Sequence, residues 1–238
     1  VVDTAEVRRY LVSRAESGSV SNVTLDNIRR IISSFFSWLE EEEVIYKSPV
    51  KRIKKIRSVM AIKPVISDEE MEVIRDSCGN LRDRAIIDLL ASTGMRVGEL
   101  VRLKRSDIDF ESRECVVHGK GNKQRKVYFD AKTKIHLQAY LAGRSDSNLS
   151  LFVSLKAPFK PLNISGVESR LRDIGRVSAG LRLHPHKFRR TMATRAIDKG
   201  MPIEQVQVLL GHSKIDTTLC YAMVDQQNVK RSHHKYIS

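Results

Sequence analysis

Four short motifs in the chain carry side chains that could act on a phosphate group. Phosphoryl transfer without a metal ion requires cations for the non-bridging oxygens, a base, an acid for the leaving oxygen and a nucleophile. Together the four motifs and a later tyrosine predict a positively charged pocket with all of these groups. They are TGMRVGEL with Arg96, GKGNKQR with Lys120, HPHKFRRT with His186 and Arg189, and LLGHS with His212, which Tyr221 follows.

Each motif taken alone has a simpler explanation. An arginine at a helix N-terminus opposes the helix dipole and could merely be exposed, and a lysine between glycines is common in basic turns. A histidine and an arginine three positions apart occur by chance about once in a chain this basic. A tyrosine ending an amphipathic helix usually packs in a core. We predict no zinc site at His184 and His186, because no carboxylate or thiol lies at ligand spacing.

The composition favours a folded protein that binds a polyanion. The chain has 238 residues, a net charge of +14 and 41 % hydrophobic residues, which excludes a disordered tail or a collagen-like repeat. The excess of positive charge predicts nucleic acid as a partner. We expect no membrane span, no signal peptide and no disulfide framework, and therefore a cytoplasmic protein. Because the first residue is not methionine, we also expect a truncated N-terminus.

Apolar periodicity predicts a mainly helical protein with a small antiparallel β-sheet. Short β-rich runs at 107–110, 114–118 and 126–129, with turn residues at 119–122, predict a hairpin. A capping box is expected at Ser67 and Glu70, and Gly94 should end a helix. Helices are predicted at Thr4–Glu16, from an N-cap at Thr24 to Leu39, from Ser67 to Ile74, at Leu81–Thr93, and near 132–142, 164–178, 187–199, 203–210 and 216–222.

The segment 47–57 carries six basic residues and no acidic one, and Pro49 excludes a helix at its start. Such a segment is either a solubilising linker or a strap along a phosphate backbone. We predict the strap, because the parts of the chain on both sides of it are basic. DNA contacts are predicted at basic residues of this segment and of the hairpin, namely Lys51, Arg52, Lys54, Lys55, Arg57, Lys123 and Arg125.

From about Leu25 to Tyr221 the sequence resembles the tyrosine recombinases, a family of phage-integrase-type DNA recombinases and transposon integrases. TGMRVGEL matches the box with the family's first catalytic arginine, and GKGNKQR matches the β-hairpin with its catalytic lysine. HPHKFRRT matches the His-x-x-Arg box, and LLGHS matches the box with the last pocket histidine. All six positions hold the family's usual residue type, in the family's order.

The resemblance implies a mechanism. Tyr221 would attack a scissile DNA phosphate, leaving a 3′-phosphotyrosyl link and a free 5′-hydroxyl. His186 would accept the tyrosine proton, and Lys120 would protonate the leaving 5′-oxygen. A 5′-hydroxyl from a partner duplex would then reverse the attack, so no metal, ATP or other cofactor is implied.

The remaining site residues also receive roles from the resemblance. Arg96, Arg189 and His212 would stabilise the transition state, and Glu99 would support the helix beside Arg96. The family's fold implies two domains that close on the duplex as a C-shaped clamp. We therefore expect a helical core-binding domain at 1–46, a basic linker at 47–63, a catalytic domain at 64–223, and a tail at 224–238 that could dock on a neighbouring subunit.

The implied partners are double-stranded DNA with specific recombination sites, three further subunits in a tetramer on that DNA, and accessory DNA-bending or directionality proteins. The implied role is integration or excision of a mobile element, in a prokaryotic cytoplasm and associated with the nucleoid. Phage integration, transposon movement and chromosome-dimer resolution stay open as settings.

Three alternatives also stay open. Residues 203–221 resemble a helix-turn-helix, which would make the protein a non-catalytic DNA-binding regulator. A type IB topoisomerase would use the same chemistry but rejoin the same duplex. A metal-dependent nuclease would lose its activity in EDTA.

Overall fold

The computed structural model describes residues 2–57, 64–119, 124–178, 180–212 and 215–219. The chain divides into two compact units, Val1–Ile62 and Lys63–Ser238. Three predicted site residues, Lys120, Lys123 and Tyr221, lie outside the described residues, as do positions 58–63 of the predicted linker and the tail at 224–238.

The first unit contains α1 (Thr4–Glu16) and α2 (Asn22–Glu41). The bounds of α1 confirm the predicted helix, which begins after a capping box of Asp3 with Glu6. The prediction that Thr24 caps the second helix is wrong. The helix begins at Asn22, because the Ser21 hydroxyl accepts a hydrogen bond from the Thr24 N–H at 3.3 Å and so satisfies an N–H that the first turn leaves unpaired.

A small apolar cluster holds the first unit together. Val7 and Leu11 from α1 and Val50 from the segment after α2 are buried in it, with α2 side chains and Ile53 packed around them. By contrast, Ile31, Phe35 and Trp38 on α2 are each at least half exposed. The basic segment therefore contributes apolar side chains to the core of this unit.

In its described residues, the second unit is mainly helical and has one small sheet. Of the predicted helix features here, the structure confirms the capping box of Ser67 with Glu70 and the helix end at Gly94. No helix in the described ranges is both long and apolar enough to cross a membrane. The helices of this unit are α3 (Asp68–Asp76), α4 (Leu81–Thr93), α5 (Val97–Leu100), α6 (Ala131–Ala142), α7 (Ile164–Val177), α8 (Pro185–Asp198), α9 (Ile203–Leu210) and α10 (Asp216–Leu219).

The sheet consists of β1 (Ile108–Asp109), β2 (Glu114–His118) and β3 (Gln124–Tyr128), antiparallel and in that order. The third strand begins two residues before its predicted start. The reason is the register, in which His118 pairs with Gln124 and Val117 with Arg125. Together with the helices, this sheet confirms the predicted fold class, mainly α with a small antiparallel β-sheet.

The core of the second unit forms around α4, which packs against α6 and α8. The chain leaves α4 at Gly94, whose φ of +60° is in the left-handed region that favours glycine. A Cβ at this position would also lie 2.5 Å from the Met192 side chain. Gly94 therefore allows α4 to end directly against α8, next to the residues that carry the predicted chemistry.

Candidate active site

Arg96 lies three residues after the end of α4, at the N-cap position of the short helix α5. Its backbone N–H donates to Glu99 Oε2 at 2.8 Å, and its Nη1 donates to Glu99 Oε1 at 3.2 Å. Its Nη2 donates to the Gly211 carbonyl at 3.1 Å. The side chain is 41 % exposed, so the guanidinium is fixed on one side and open to solvent on the other.

Arg189 lies on α8 and is only 3 % exposed. Its Nη1 donates to the Gly94 carbonyl at 2.8 Å, and its Nη2 donates to the Leu210 carbonyl at 2.6 Å. Both acceptors are main-chain oxygens at the C-terminal ends of helices, where carbonyl groups have no partner within the helix. The ends of α4 and α9 therefore hold the Arg189 guanidinium in one orientation.

Arg125, the second residue of β3, points inward, whereas a DNA contact was predicted for it. Its Nη1 and Nη2 donate to Glu99 Oε1 and Oε2 at 2.6 and 2.8 Å, and its Nε donates to the Leu209 carbonyl at 2.8 Å. The side chain is 13 % exposed, and that of Glu99 is 3 % exposed. Burial alone would raise the pKa of Glu99, but hydrogen bonds from Arg125 and from the Arg96 N–H outweigh burial and lower that pKa.

The three arginines meet at the C-terminus of α9. Leu209, Leu210 and Gly211 are consecutive, and their carbonyl oxygens accept from Arg125, Arg189 and Arg96 respectively. The C-terminal end of a helix carries partial negative charge, which favours cations there. One helix end thus gathers guanidinium groups from β3, α8 and α5 into a single cluster.

His212 follows this helix end directly. Its backbone is clamped by Gln207, since the His212 N–H donates to the Gln207 carbonyl and the Gln207 amide donates to the His212 carbonyl. Its Nδ1 lies 2.8 Å from the Thr218 hydroxyl. Burial, followed by the positive charges of Arg189, Arg96 and Arg125, lowers the pKa of His212 to about 4. The imidazole is therefore neutral at pH 7.

An open pocket of about 380 Å³ lies over this cluster. The exposed imidazole of His186 borders it from the first turn of α8, and Gly119, which lies between the end of β2 and Lys120, also borders it. Across the described part of the chain, no group of three or more His, Cys, Asp or Glu side chains could hold a metal ion. The polar residues lining the pocket are Arg96, Glu99, Arg102, His118, His186 and Arg189.

The structure therefore brings together four of the six predicted catalytic residues, Arg96, His186, Arg189 and His212. The predicted DNA contacts at 51–57 belong to the first unit. All five of their side chains are exposed, and Lys51 donates to Glu40 at 3.2 Å.

Sequence reasoning missed several residues of the site. Arg102 and His118 border the pocket, and Thr218 binds His212. A signal existed for His118, which directly precedes the GKGNKQR motif and is two positions before Lys120. The carbonyls of residues 209–211 have no side-chain signature, so their role follows only from the fold.

The chain is similar in sequence to proteins of a known family. The model of the phage integrase family matches residues 65–228. The tyrosine recombinase XerC of Bacillus pumilus is 31 % identical over 98 % of this chain and 81 % of that protein. The tyrosine recombinase XerC of Staphylococcus saprophyticus is 33 % identical over 95 % of this chain and 79 % of that protein.

Solved structures share the fold. A XerA recombinase superposes with a TM-score of 0.66 at 25 % identity, over 100 % of this chain and 84 % of the other. The Tn1549 transposon integrase in complex with transposon right end DNA superposes with a TM-score of 0.81 at 19 % identity, over 100 % of this chain and 86 % of the other. A XerH site-specific recombinase bound to a palindromic difH substrate superposes with a TM-score of 0.79 at 23 % identity, over 100 % of this chain and 73 % of the other.

Proposed function

The chain belongs to the phage integrase family and is a tyrosine recombinase, and we propose that it cleaves and rejoins DNA at specific sites through a 3′-phosphotyrosyl intermediate on Tyr221. Family membership gives the class of enzyme. The proposal adds the covalent intermediate, the site specificity and the role of each residue.

One observation carries the proposal. The guanidinium groups of Arg96 and Arg189 both border the pocket, and the adjacent carbonyls of Gly211 and Leu210 hold them. A pentacoordinate phosphorane carries more negative charge on its non-bridging oxygens than the phosphodiester does, so fixed cations favour it over the ground state. Because the arginines are already oriented, they need not reorganise as that charge develops.

The reaction balances without an external energy source. The Tyr221 oxygen attacks the scissile phosphorus, and a P–O bond to tyrosine forms as the P–O bond to the 5′-oxygen breaks. The tyrosine proton passes to His186 and the 5′-oxygen takes a proton from Lys120. The 5′-hydroxyl of a second duplex then attacks the phosphotyrosine and releases Tyr221, so one phosphodiester is exchanged for another.

His212 acts in this scheme as a neutral hydrogen-bond donor. With the Thr218 hydroxyl donating to Nδ1, the ring proton resides on Nε2 and is available to a phosphate oxygen. The lowered pKa of His212, about 4, keeps the ring in this neutral form at physiological pH.

Both units take part in DNA binding in this proposal. Residues 1–46 form a core-binding domain, 47–63 a basic linker that contacts phosphates, 64–223 the catalytic domain, and 224–238 a tail that docks on a neighbouring subunit. The active assembly is a tetramer on two recombination sites, to which DNA-bending or directionality proteins add control. Support for the linker comes from the exposed cations at 51–57.

A covalent-trapping experiment tests the reaction. Genomic DNA that is covalently attached to the protein is first recovered and sequenced. The cleavage site identified in this way is then built into a synthetic duplex with a nick beside the cleavage position. We expect a protein–DNA adduct on a denaturing gel, and its loss in Tyr221→Phe. Absence of an adduct with the wild-type protein, or its persistence in Tyr221→Phe, would refute the proposal.

The products distinguish the remaining enzymatic alternatives. A recombinase joins the cleaved strand to a second duplex, whereas a type IB topoisomerase rejoins the original duplex and relaxes supercoils. We expect strand exchange between two labelled duplexes, unchanged by EDTA. Loss of cleavage in EDTA would instead indicate a metal-dependent nuclease.

We propose integration or excision of a mobile element as the biological role, which is the role predicted from the sequence. Sequencing the exchanged junctions tests this setting. Junctions between the ends of a mobile element and varied flanking DNA are expected, and junctions confined to one chromosomal site joined to itself would contradict it.

A further inference from the structure

The Glu99 carboxylate is shared between two arginines. Oε1 accepts from Nη1 of both Arg96 and Arg125, and Oε2 accepts from the Arg96 N–H and from Arg125 Nη2. The contacts to Arg125 are the shorter and form a bidentate pair, the stronger geometry for a carboxylate with a guanidinium. Arg125 is thus the main counterion of Glu99, and Arg96 is the secondary one.

This arrangement determines the charge left in the pocket. Glu99 and Arg125 are mostly buried and together are neutral, so the positive charge of Arg96 is not cancelled. Without Arg125, the buried Glu99 carboxylate would rely on Arg96 alone. A buried carboxylate requires a close cation, so it would draw the Arg96 guanidinium toward itself and away from a bound phosphate.

A third donor of Arg125 fixes the helix end that precedes His212. Its Nε donates to the Leu209 carbonyl, and its side chain lies close to Gly211. A Cβ at Gly211 would lie 3.1 to 3.2 Å from Arg125 atoms, and the φ of Gly211 is +63°. The glycine of the LLGHS motif therefore makes room for Arg125.

We propose that Arg125 is a positioning residue for DNA cleavage, which neutralises Glu99 so that Arg96 keeps its charge for the scissile phosphate and holds the end of α9 next to His212. This inference rests on the proposed cleavage reaction. It replaces the sequence prediction that Arg125 contacts DNA, and the two roles make opposite predictions.

The two roles are separated by measuring binding and cleavage independently. Single-turnover adduct formation on the nicked duplex is measured at saturating protein, and the Kd is measured as a function of salt concentration. For Arg125→Gln we expect cleavage to slow about 100-fold, as misplaced catalytic groups do, with the Kd and its salt dependence unchanged. Lys126→Gln is the matched control, because Lys126 is the next residue of β3, 58 % exposed and paired with Glu114; it should cleave like the wild type.

Two further variants test the charge argument. Arg125→Lys keeps the charge but loses the bidentate geometry, and we expect a loss of about tenfold. In the double variant Glu99→Gln with Arg125→Gln, no buried carboxylate competes for Arg96, so cleavage should be faster than in Arg125→Gln alone. A merely structural pair would give a double variant as slow as, or slower than, the single one.

Each result decides the question. Absence of a wild-type adduct refutes the proposed function, whatever Arg125 does. Suppose that the wild type forms an adduct, and that Arg125→Gln binds DNA more weakly and with a flatter salt dependence but cleaves at the wild-type rate at saturating protein. Arg125 is then a DNA contact, and the inference fails. Circular dichroism checks folding. If Arg125→Gln does not fold, Arg125→Lys decides by the same measurements, since cleavage at the wild-type rate in that variant overturns the charge and geometry argument.

Discussion

Arg125 and Arg189, which meet at the C-terminus of α9, and the basic residues of segment 47–57 carry the same charge but are held in opposite ways. Arg189 and Arg125 are largely buried, and each donates to named acceptors on other elements. In the segment the reverse is found, because the backbone and the apolar side chains are anchored while the cationic groups are exposed. Stabilising a transition state requires a fixed cation, whereas holding a polyanion requires only accessible ones.

The backbone and the apolar side chains of the segment are anchored in a way that leaves its cationic groups accessible. Ile53 packs on the small core of the first unit, and the Ile56 N–H donates to Asp26 Oδ1 at 3.0 Å. Asn22 donates from its side chain to the Arg57 carbonyl at 3.2 Å. The backbone therefore follows α2, and Arg52, Lys54, Lys55 and Arg57 extend into solvent. We expect changes in the pocket to reduce the cleavage rate and changes in the segment to reduce affinity.

The largest effect is expected from Arg189→Ala. The substitution removes a fixed donor from the transition state, which costs about 100- to 1000-fold in rate, while the Kd for DNA should change less than about twofold. Single-turnover adduct formation at saturating protein, alongside a binding titration, measures both quantities. Lys199→Ala, at the exposed C-cap of the same helix, is the control and should retain the wild-type rate.

If Arg189→Ala bound DNA more weakly but cleaved at nearly the wild-type rate at saturating protein, Arg189 would behave like a residue of segment 47–57. The contrast between the fixed and the exposed cations would then fail. A loss of secondary structure by circular dichroism would call for Arg189→Lys instead. That variant keeps the charge but cannot donate to the carbonyls of Gly94 and Leu210 in the same planar geometry, and its rate should also fall.

The second prediction concerns the segment. Lys54→Gln combined with Lys55→Gln should weaken DNA binding and reduce the slope of log K against log salt by about 0.9 for each phosphate that is no longer neutralised, or about 1.8 for two. The cleavage rate at saturating protein should not change. Fluorescence anisotropy over a series of salt concentrations measures the slope.

Lys51→Gln is the matched variant for this prediction. Lys51 already pairs with the Glu40 carboxylate, which neutralises part of its charge, so Lys51→Gln should change the slope less than Lys55→Gln alone. If the slope does not respond to Lys54 and Lys55, the segment is a solubilising linker.

Local signals predicted the fold well. The bounds of α1, the Ser67 capping box and the Gly94 helix end all depend on residues within a few positions of one another, and the structure confirms them. The error at Thr24 is of the same local kind, since Ser21 and Thr24 are both good N-caps and only the structure shows which residue begins the helix.

Sequence motifs predicted candidate site residues, four of which the structure brings together, but not the groups that hold them in place. Arg125 is in a basic, glycine-containing motif, so the sequence favoured a DNA contact. Its partners, Glu99 and the Leu209 carbonyl, are 26 and 84 positions away in the chain. Pairings over such distances depend on how β3, α5 and α9 pack, which no local pattern encodes. Main-chain carbonyls in particular carry no residue-type signal.

The smallest effect at neutral pH, and the most direct measure of the pocket's charge, is the titration of His212. Its pKa is lowered to about 4 by burial and then by Arg189, Arg96 and Arg125. NMR of the wild-type ring should therefore detect protonation only near pH 4. In Arg189→Ala the removal of one nearby cation should raise that pKa, although burial should keep it below 6.5, the ordinary value.

The same shift has a consequence for stability. The folded pKa of His212 is below the unfolded value, so between about pH 6.5 and pH 4 the unfolded chain binds the proton more strongly. This group therefore leaves the free energy of unfolding unaffected above pH 6.5 and lowers it as the pH falls toward 4. His212→Gln should show a shallower loss of stability over that range in urea titrations. An equally steep loss, or a ring that titrates at 6.5 in the wild type, would mean that neither burial nor the arginines act on the imidazole. An unchanged His212 pKa in Arg189→Ala would mean that the arginine cluster is too screened by solvent to act on a neighbouring group, and the contrast between fixed and exposed cations would fail.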